Sequence, residues 1–242
     1  MKKCLYSFIA LLTIISCKSI SVNQQPQLVT ETPVELGAIG IVHDNMLHKS
    51  FESVAIPSFK KELKLYVQPV SFSKQTFKAF QKANTLHKKV NLTYEDSLQS
   101  KPQYVYLQFL DRVSITDQLN NKTNVGLRSY LETKERAQLV TSIAIAFSEK
   151  ELKKISAADE VFLIQSATKK FSLELKSLDG KKEQLEFNNG VVFAYQLSGF
   201  CWKENDRHKL IIGDIVSNAE SCPANTYKKA SKATQKENYF KL

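Results

Sequence analysis

The chain has 242 residues and a formal charge of +10, with 43% hydrophobic and 24% charged side chains, enough apolar material for a packed core. The charge excess is almost all lysine, since arginine occurs only at positions 112, 128, 136 and 207. Readers of nucleic acid draw on the bidentate fork of arginine, and no arginine cluster or aromatic-interleaved basic motif occurs, so nucleic acid is not an expected partner.

Met1-Lys2-Lys3 precede an apolar run from Leu5 to Ile15, and Ser16-Cys17 follow. A positive start, a short apolar run and a small residue are the parts of a secretory signal. The run is too short to span a bilayer, which takes about 20 residues. The quartet Ile14-Ile15-Ser16-Cys17 resembles the lipobox of bacterial lipoproteins, with Ile14 where that motif most often has leucine. The resemblance covers the targeting segment alone. It implies cleavage before Cys17, loss of residues 1–16 with Cys4 among them, and acylation of the Cys17 thiol. The membrane is then a partner through a lipid anchor, and the body sits at the bacterial envelope, in the periplasm or at the cell surface, with the outer membrane favoured. Each buried methylene contributes about 0.8 kcal/mol, and two or more chains hold stably. The alternative is an ordinary cleaved signal that releases a soluble protein with a free Cys17.

In an oxidising compartment an even pair of cysteines reads as a bridge, which predicts Cys201–Cys222. A loop of that length contributes about 3 kcal/mol in the chain-entropy model. Thiols for redox or metal work are the competing reading, but neither a CxxC spacing nor a nearby histidine pair supports it.

Residues 17–33 are polar, contain Pro26 and Pro33 and lack periodicity, so the lipidated cysteine is followed by a flexible tether. A single globular domain is expected over 34–224. Val34 to Val42 reads as a buried strand, and Glu62 to Val70 alternates with the two-residue period of another, its Pro69 marking an edge or bulge. Ser73 then suits a helix N-cap, with Phe72 and Phe77 at the staple positions and Phe77, Phe80, Ala83 and Leu86 along one face.

Tyr104 to Ile115 reads as the strongest strand, with Val105, Leu107, Phe109, Val113 and Ile115 on one face and Asp111 interrupting it. Residues 116–134 are polar and partly helical around Leu127 to Leu131. Leu139 to Phe147 alternates as a strand, and Ser148-Glu149-Lys150-Glu151 fits a capping box that opens a short helix. An antiparallel meander over 160–216 follows. A three-residue loop at Asp179-Gly180-Lys181 would pair Leu175 with Leu185 and Leu173 with Phe187. A type I′ turn at Asn189-Gly190 would then pair Phe187 with Val192 and Leu185 with Ala194. The Lys-rich tail 225–242 reads as a frayed, solvated end, with a membrane-surface segment as the sharper alternative.

Chemistry is sparse. Asp111 among apolar neighbours is a weak catalytic candidate as an acid of raised pKa, unless a rim position, a bulge or a lysine accounts for it. His43 is the other weak candidate, and with Asp44 and His48 it could supply metal ligands, although neither HExxH nor HxH is present. Nucleophile-elbow, P-loop and GxGxxG motifs are missing, so no cofactor and no metal is expected. Tyr104, Tyr106, Phe193 and Tyr195 form either an exposed aromatic platform for a sugar chain, peptide or protein, or core beneath covering helices.

The sequence thus predicts an α+β fold, a mostly antiparallel sheet with a C-terminal meander and a few helices packed on one face. The function expected is that of a membrane-anchored envelope lipoprotein, a non-enzymatic component that binds or scaffolds an envelope protein or glycan. The alternative is an envelope hydrolase acting on glycan or peptide.

Overall fold

A computed structural model describes residues 19–30, 32–45, 48–87, 90–97 and 100–234. The signal segment and Cys17 lie outside the described residues. The strands are β1 (Ser19–Val22), β2 (Gln25–Val29), β3 (Ile39–Asn45), β4 (His48–Ala55), β5 (Leu63–Ser71), β6 (Gln103–Phe109), β7 (Ala137–Ala146), β8 (Glu160–Ala167), β9 (Lys170–Lys176), β10 (Lys182–Glu186), β11 (Val191–Glu204) and β12 (Leu210–Ser217). The helices are α1 (Lys74–His87), α2 (Arg112–Asn120), α3 (Val125–Glu132), α4 (Glu149–Ala157) and the single turn α5 (Ala230–Ala233).

The fold is α+β, with all twelve strands in one antiparallel sheet of order β1-β2-β11-β7-β6-β5-β8-β9-β10. Strands β7 and β11 form its spine, and the sheet forks at both. One edge of β7 carries β6 along residues 142–145 and β3 along 137–139. The outer edge of β11 carries β2 at 194–195 and β12 from 198 onward.

Two apolar clusters lie against this sheet. The larger joins Leu139, Ile143 and Ile145 of β7 to Leu163, Leu173 and Leu185 of the β8–β10 wing, and takes in Ile115 and Leu119 of α2, Leu131 of α3 and Ile155 of α4. The smaller packs Phe77, Phe80 and Ala83 of α1 on Tyr104, Ala144, Ala146 and Phe193, with Ile20 and Val22 beside them. The helices are therefore shared between the faces, α1 on one side and α2 to α4 on the other.

The local signals for helix starts hold. Ser73 Oγ accepts from Thr76 N at 3.2 Å, Thr76 Oγ1 accepts from Ser73 N at 2.8 Å, and the Phe72 and Phe77 rings meet edge to face at 5.4 Å. Ser148 and Glu151 form the full capping box. Pro69 sits where β5 has β6 on one side and, among the described residues, no strand on the other beyond residue 64, a position where a missing N–H costs no ladder bond.

Five expectations are corrected. The expected tether is folded over 19–30, where β1 and β2 make a hairpin with Ile20 and Val22 buried, because Ile20, Val22 and Leu28 find the sheet's apolar faces. Val34, Leu36, Gly37 and Ala38 are buried, but the chain becomes a strand only at Ile39. The strand expected to run to Ile115 stops at Phe109, since Asp111 caps α2 and leaves Val113 77% exposed.

The meander register is two residues off. Leu173 pairs with Leu185 and Leu175 with Glu183 across a five-residue loop, which preserves the faces and sets Glu174 opposite Gln184. After the turn at Phe187–Asn189 the chain leaves the wing, and β11 pairs with β7 rather than β10. Last, the tail is tied down over its first ten residues. Trp202 and Tyr227 exchange backbone hydrogen bonds of 2.7 and 2.8 Å, and Ala230 is buried.

Cys201 and Cys222 form the predicted disulfide, their Cα atoms 5.7 Å apart. It fastens the 218–224 loop to the C-terminal part of β11.

Candidate functional site

The aromatic platform is core. Tyr104, Tyr106, Phe193 and Tyr195 are all at most 4% exposed. Phe72 packs on Tyr104 and Phe193 and Phe80 on Phe193, and burial pushes the Tyr104 phenol up to about 12, so it stays neutral. The four do not even share a face. A bulge at Phe193 slips the β11 register by one residue, which sends Tyr195 to the opposite cluster against Phe51.

Asp111 has a structural role. Its carboxylate accepts from Val113 N at 2.8 Å and from Ser114 Oγ at 2.5 Å. Those bonds hold the Asp111 carboxyl below the usual carboxylate range, with the Ser114 hydroxyl the larger cause. A general acid needs the opposite shift. His43 lies on the β3–β4 hairpin with Nε2 3.1 Å from Glu52 Oε2, both side chains well exposed. The His48 side chain lies outside the described residues. Among the described residues no three His, Cys, Asp or Glu side chains are placed to hold a metal ion. Partial desolvation raises Glu35, Lys170 lowers it and Glu186 raises it, but none of the three lines a cleft described below.

The best-built concavity lies elsewhere, between the end of β4, the loop 56–62, α3 and the β8–β9 turn. It measures about 510 Å³ and is walled by Val54, Ile56, Pro57, Leu127 and Tyr130, with Thr123, Thr168 and Lys169 at its polar margin. Lys169 is its one charged lining residue. Val54 is 39% and Tyr130 40% exposed.

The position of Val54 follows from the backbone. The β3–β4 register slips between Ile39 and Gly40, pairing Ile39 with Ala55 and Gly40 with Ser53. Val54 is the extra residue of this bulge, and a bulge re-aims its side chain. The close approach requires glycine, because a Cβ on Gly40 would lie 2.3 Å from Glu52 O. Among the described residues β4 pairs with β3 alone, so its outer edge beside the cleft presents unused backbone donors and acceptors.

The loop that forms the cleft floor has no strand to satisfy its backbone, and three amide side chains do that instead. Asn124 Oδ1 accepts from Ser58 N at 2.8 Å while Asn124 Nδ2 donates to Ser58 O at 2.9 Å and Gln118 O at 2.9 Å. Gln118 Oε1 accepts from Lys60 N at 2.8 Å and Lys61 N at 3.2 Å. Gln165 Oε1 accepts from Phe59 N at 3.0 Å and Ser58 Oγ at 3.2 Å. Gln118 and Asn124 are 2% and 3% exposed, so these bonds form away from competing water. Phe59 stacks on Phe171 at 5.1 Å and pins the loop from below.

Three other clefts are less suited. One of about 620 Å³ between residues 92–103 and α4, and one of about 670 Å³ between α1 and residues 90–93, contain none of the large exposed apolar side chains. The third, about 360 Å³ along the free edge of β5, exposes Tyr66 and Leu110 but is crossed by the Lys64–Glu160 ion pair at 2.6 Å and bordered by Pro69.

Sequence reasoning missed the amide clamp and the cleft. Gln118 and Asn124 fall in the polar stretch 116–134 without a motif to single them out, Gln165 has none either, and a one-residue bulge at Val54 has no signature in a two-residue period. One signal was available, since Gln118 shares a helical face with Ile115. The chain matches no protein-family model and no curated protein.

Proposed function

We propose that this protein is an envelope lipoprotein, held to a membrane through acylated Cys17, whose folded body binds a polypeptide partner without carrying out chemistry on it. One juxtaposition supports the binding role: an unpaired strand edge, β4, beside an apolar cleft whose floor is rigidly hydrogen-bonded. An extended segment added to β4 would gain main-chain hydrogen bonds, and its alternate side chains would fill the cleft. A preformed site avoids the ordering cost that a flexible one carries. The cleft's lining includes no carboxylate, histidine or cysteine, which favours recognition over hydrolysis.

The test uses the full chain with a photoreactive amino acid at Tyr130, illuminated in detergent-solubilised envelope. A single stoichiometric adduct that disappears with Leu127→Asp supports the reading. Absence of an adduct, together with hydrolysis of an envelope polymer by the purified protein, overturns it. Metabolic labelling with a fatty-acid analogue checks the anchor separately, and should tag the wild type and spare Cys17→Ser.

A further inference from the structure

The outward face of α1 is a lysine stripe. Phe77, Phe80 and Ala83 turn to the sheet, while Lys74, Lys78 and Lys82, four residues apart, lie exposed on the opposite side with Gln81 and Thr85 between them. No acidic residue occurs from Ser73 to Tyr94, a stretch containing five lysines, and none from Lys18 to Thr30. Asp96, just beyond that stretch, accepts from Tyr94 Oη at 2.5 Å, pairs with Lys101 at 3.8 Å and also feels Lys74.

Position gives the stripe a partner. β1 packs Ile20 and Val22 into the same cluster as α1, so the chain enters the fold beside this helix. Only Lys18 separates Ser19 from Cys17, a length of chain that reaches at most about 7 Å when fully extended. The hairpin leaves no slack for a tether. An acyl chain at Cys17 would therefore bring this side of the molecule to the bilayer.

We propose that α1 lies against anionic phospholipid headgroups, its three lysines fixing the side on which the anchored body rests. The inference deepens the anchoring reading, in that acylation would hold the helix at the surface, but the lysines would attract an anionic bilayer without it. A lysine near such a surface favours partitioning about fivefold, so three together give roughly a hundredfold, and the attraction is weakened by salt.

The experiment measures co-sedimentation of the full chain carrying Cys17→Ser with phosphatidylcholine vesicles, with and without phosphatidylglycerol, at low salt. All variants share residues 1–16, so any binding by that segment cancels in the comparison. The expected result is a preference for anionic vesicles that falls about a hundredfold in K74Q/K78Q/K82Q and persists in the charge-matched K228Q/K229Q/K232Q. Equal binding to both vesicle types, or an equal loss in both triple variants, overturns the proposal. Failure of the anchoring reading would be seen elsewhere, as an unacylated Cys17 in the mass of the native N-terminal peptide.

Discussion

Asn124 grips the backbone of Ser58 at two points, accepting from its N–H at 2.8 Å and donating to its carbonyl at 2.9 Å. The residues are 66 apart in sequence, so the contact welds α2 and α3 to the loop beneath the cleft. A third bond, from Asn124 Nδ2 to Gln118 O, joins the clamp's two buried amides.

Asn124→Ala should therefore cost about 2 kcal/mol, because it leaves the buried Gln118 carbonyl and the part-buried backbone groups of Ser58 without their partner. Urea unfolding measures the loss, and hydrogen exchange should rise at Ser58, Lys60 and Lys61 before it rises in β7. Unchanged protection at those amides would show that the clamp does not hold the loop.

Gly40→Ala tests the bulge that presents Val54. The new Cβ would meet Glu52 O and the Phe51 ring, and the β3–β4 backbone would have to part. A loss of about 2 kcal/mol is expected, with changed amide shifts at Glu52 to Ala55 by nuclear magnetic resonance. A variant as stable as the wild type, with an unmoved spectrum, would contradict the packing described.

Asp111→Ala should cost about 1 kcal/mol at neutral pH through loss of the α2 cap. Asp111→Asn keeps an accepting oxygen and should lose less. The native pKa of Asp111 lies below its unfolded value of about 3.9, so the charged cap stabilises fully above that value. Its contribution disappears as pH falls through the native pKa, and the gap between wild type and Asp111→Asn should close below about pH 4. Denaturant melts across pH 3 to 7 measure this, and a gap that widens on acidification would be the wrong sign.

Removing the disulfide with Cys201→Ser and Cys222→Ser together should cost about 3 kcal/mol, or roughly 6–12 °C in Tm. The Trp202–Tyr227 backbone pair lies directly beyond the bridge, so release should also deprotect Trp202 and Tyr227 in hydrogen exchange. Protection there equal to wild type would mean that α5 and the β11 edge hold the segment unaided.

Much of this molecule could be read locally. The N-caps at Ser73 and Ser148, the edge position of Pro69 and the alternation through β7 all follow from groups within a few residues of one another, where spacing and backbone chemistry suffice. The cysteine pairing needed only a parity argument and an oxidising compartment. Asp111 failed in an instructive way: its apolar neighbours extended the two-residue period past Phe109, while an Asp-x-x-Ser start to a helix, with Ser114 at the third turn position, carried the competing signal.

Amino-acid order by itself settled the fold class, the places where helices begin and the apolar face of α1, because each depends on local spacing, and the Cys201–Cys222 pair, because only two cysteines remain in the body of the chain. Tertiary structure decided the rest. Which strands meet at β7 and β11, that Ile20 and Val22 bury what looked like a leash, and that three distant amides frame a cleft all depend on long-range pairing. Such pairing turns on single-residue bulges at Val54 and Phe193, which flip a face at little local cost and so leave hardly a trace in the sequence.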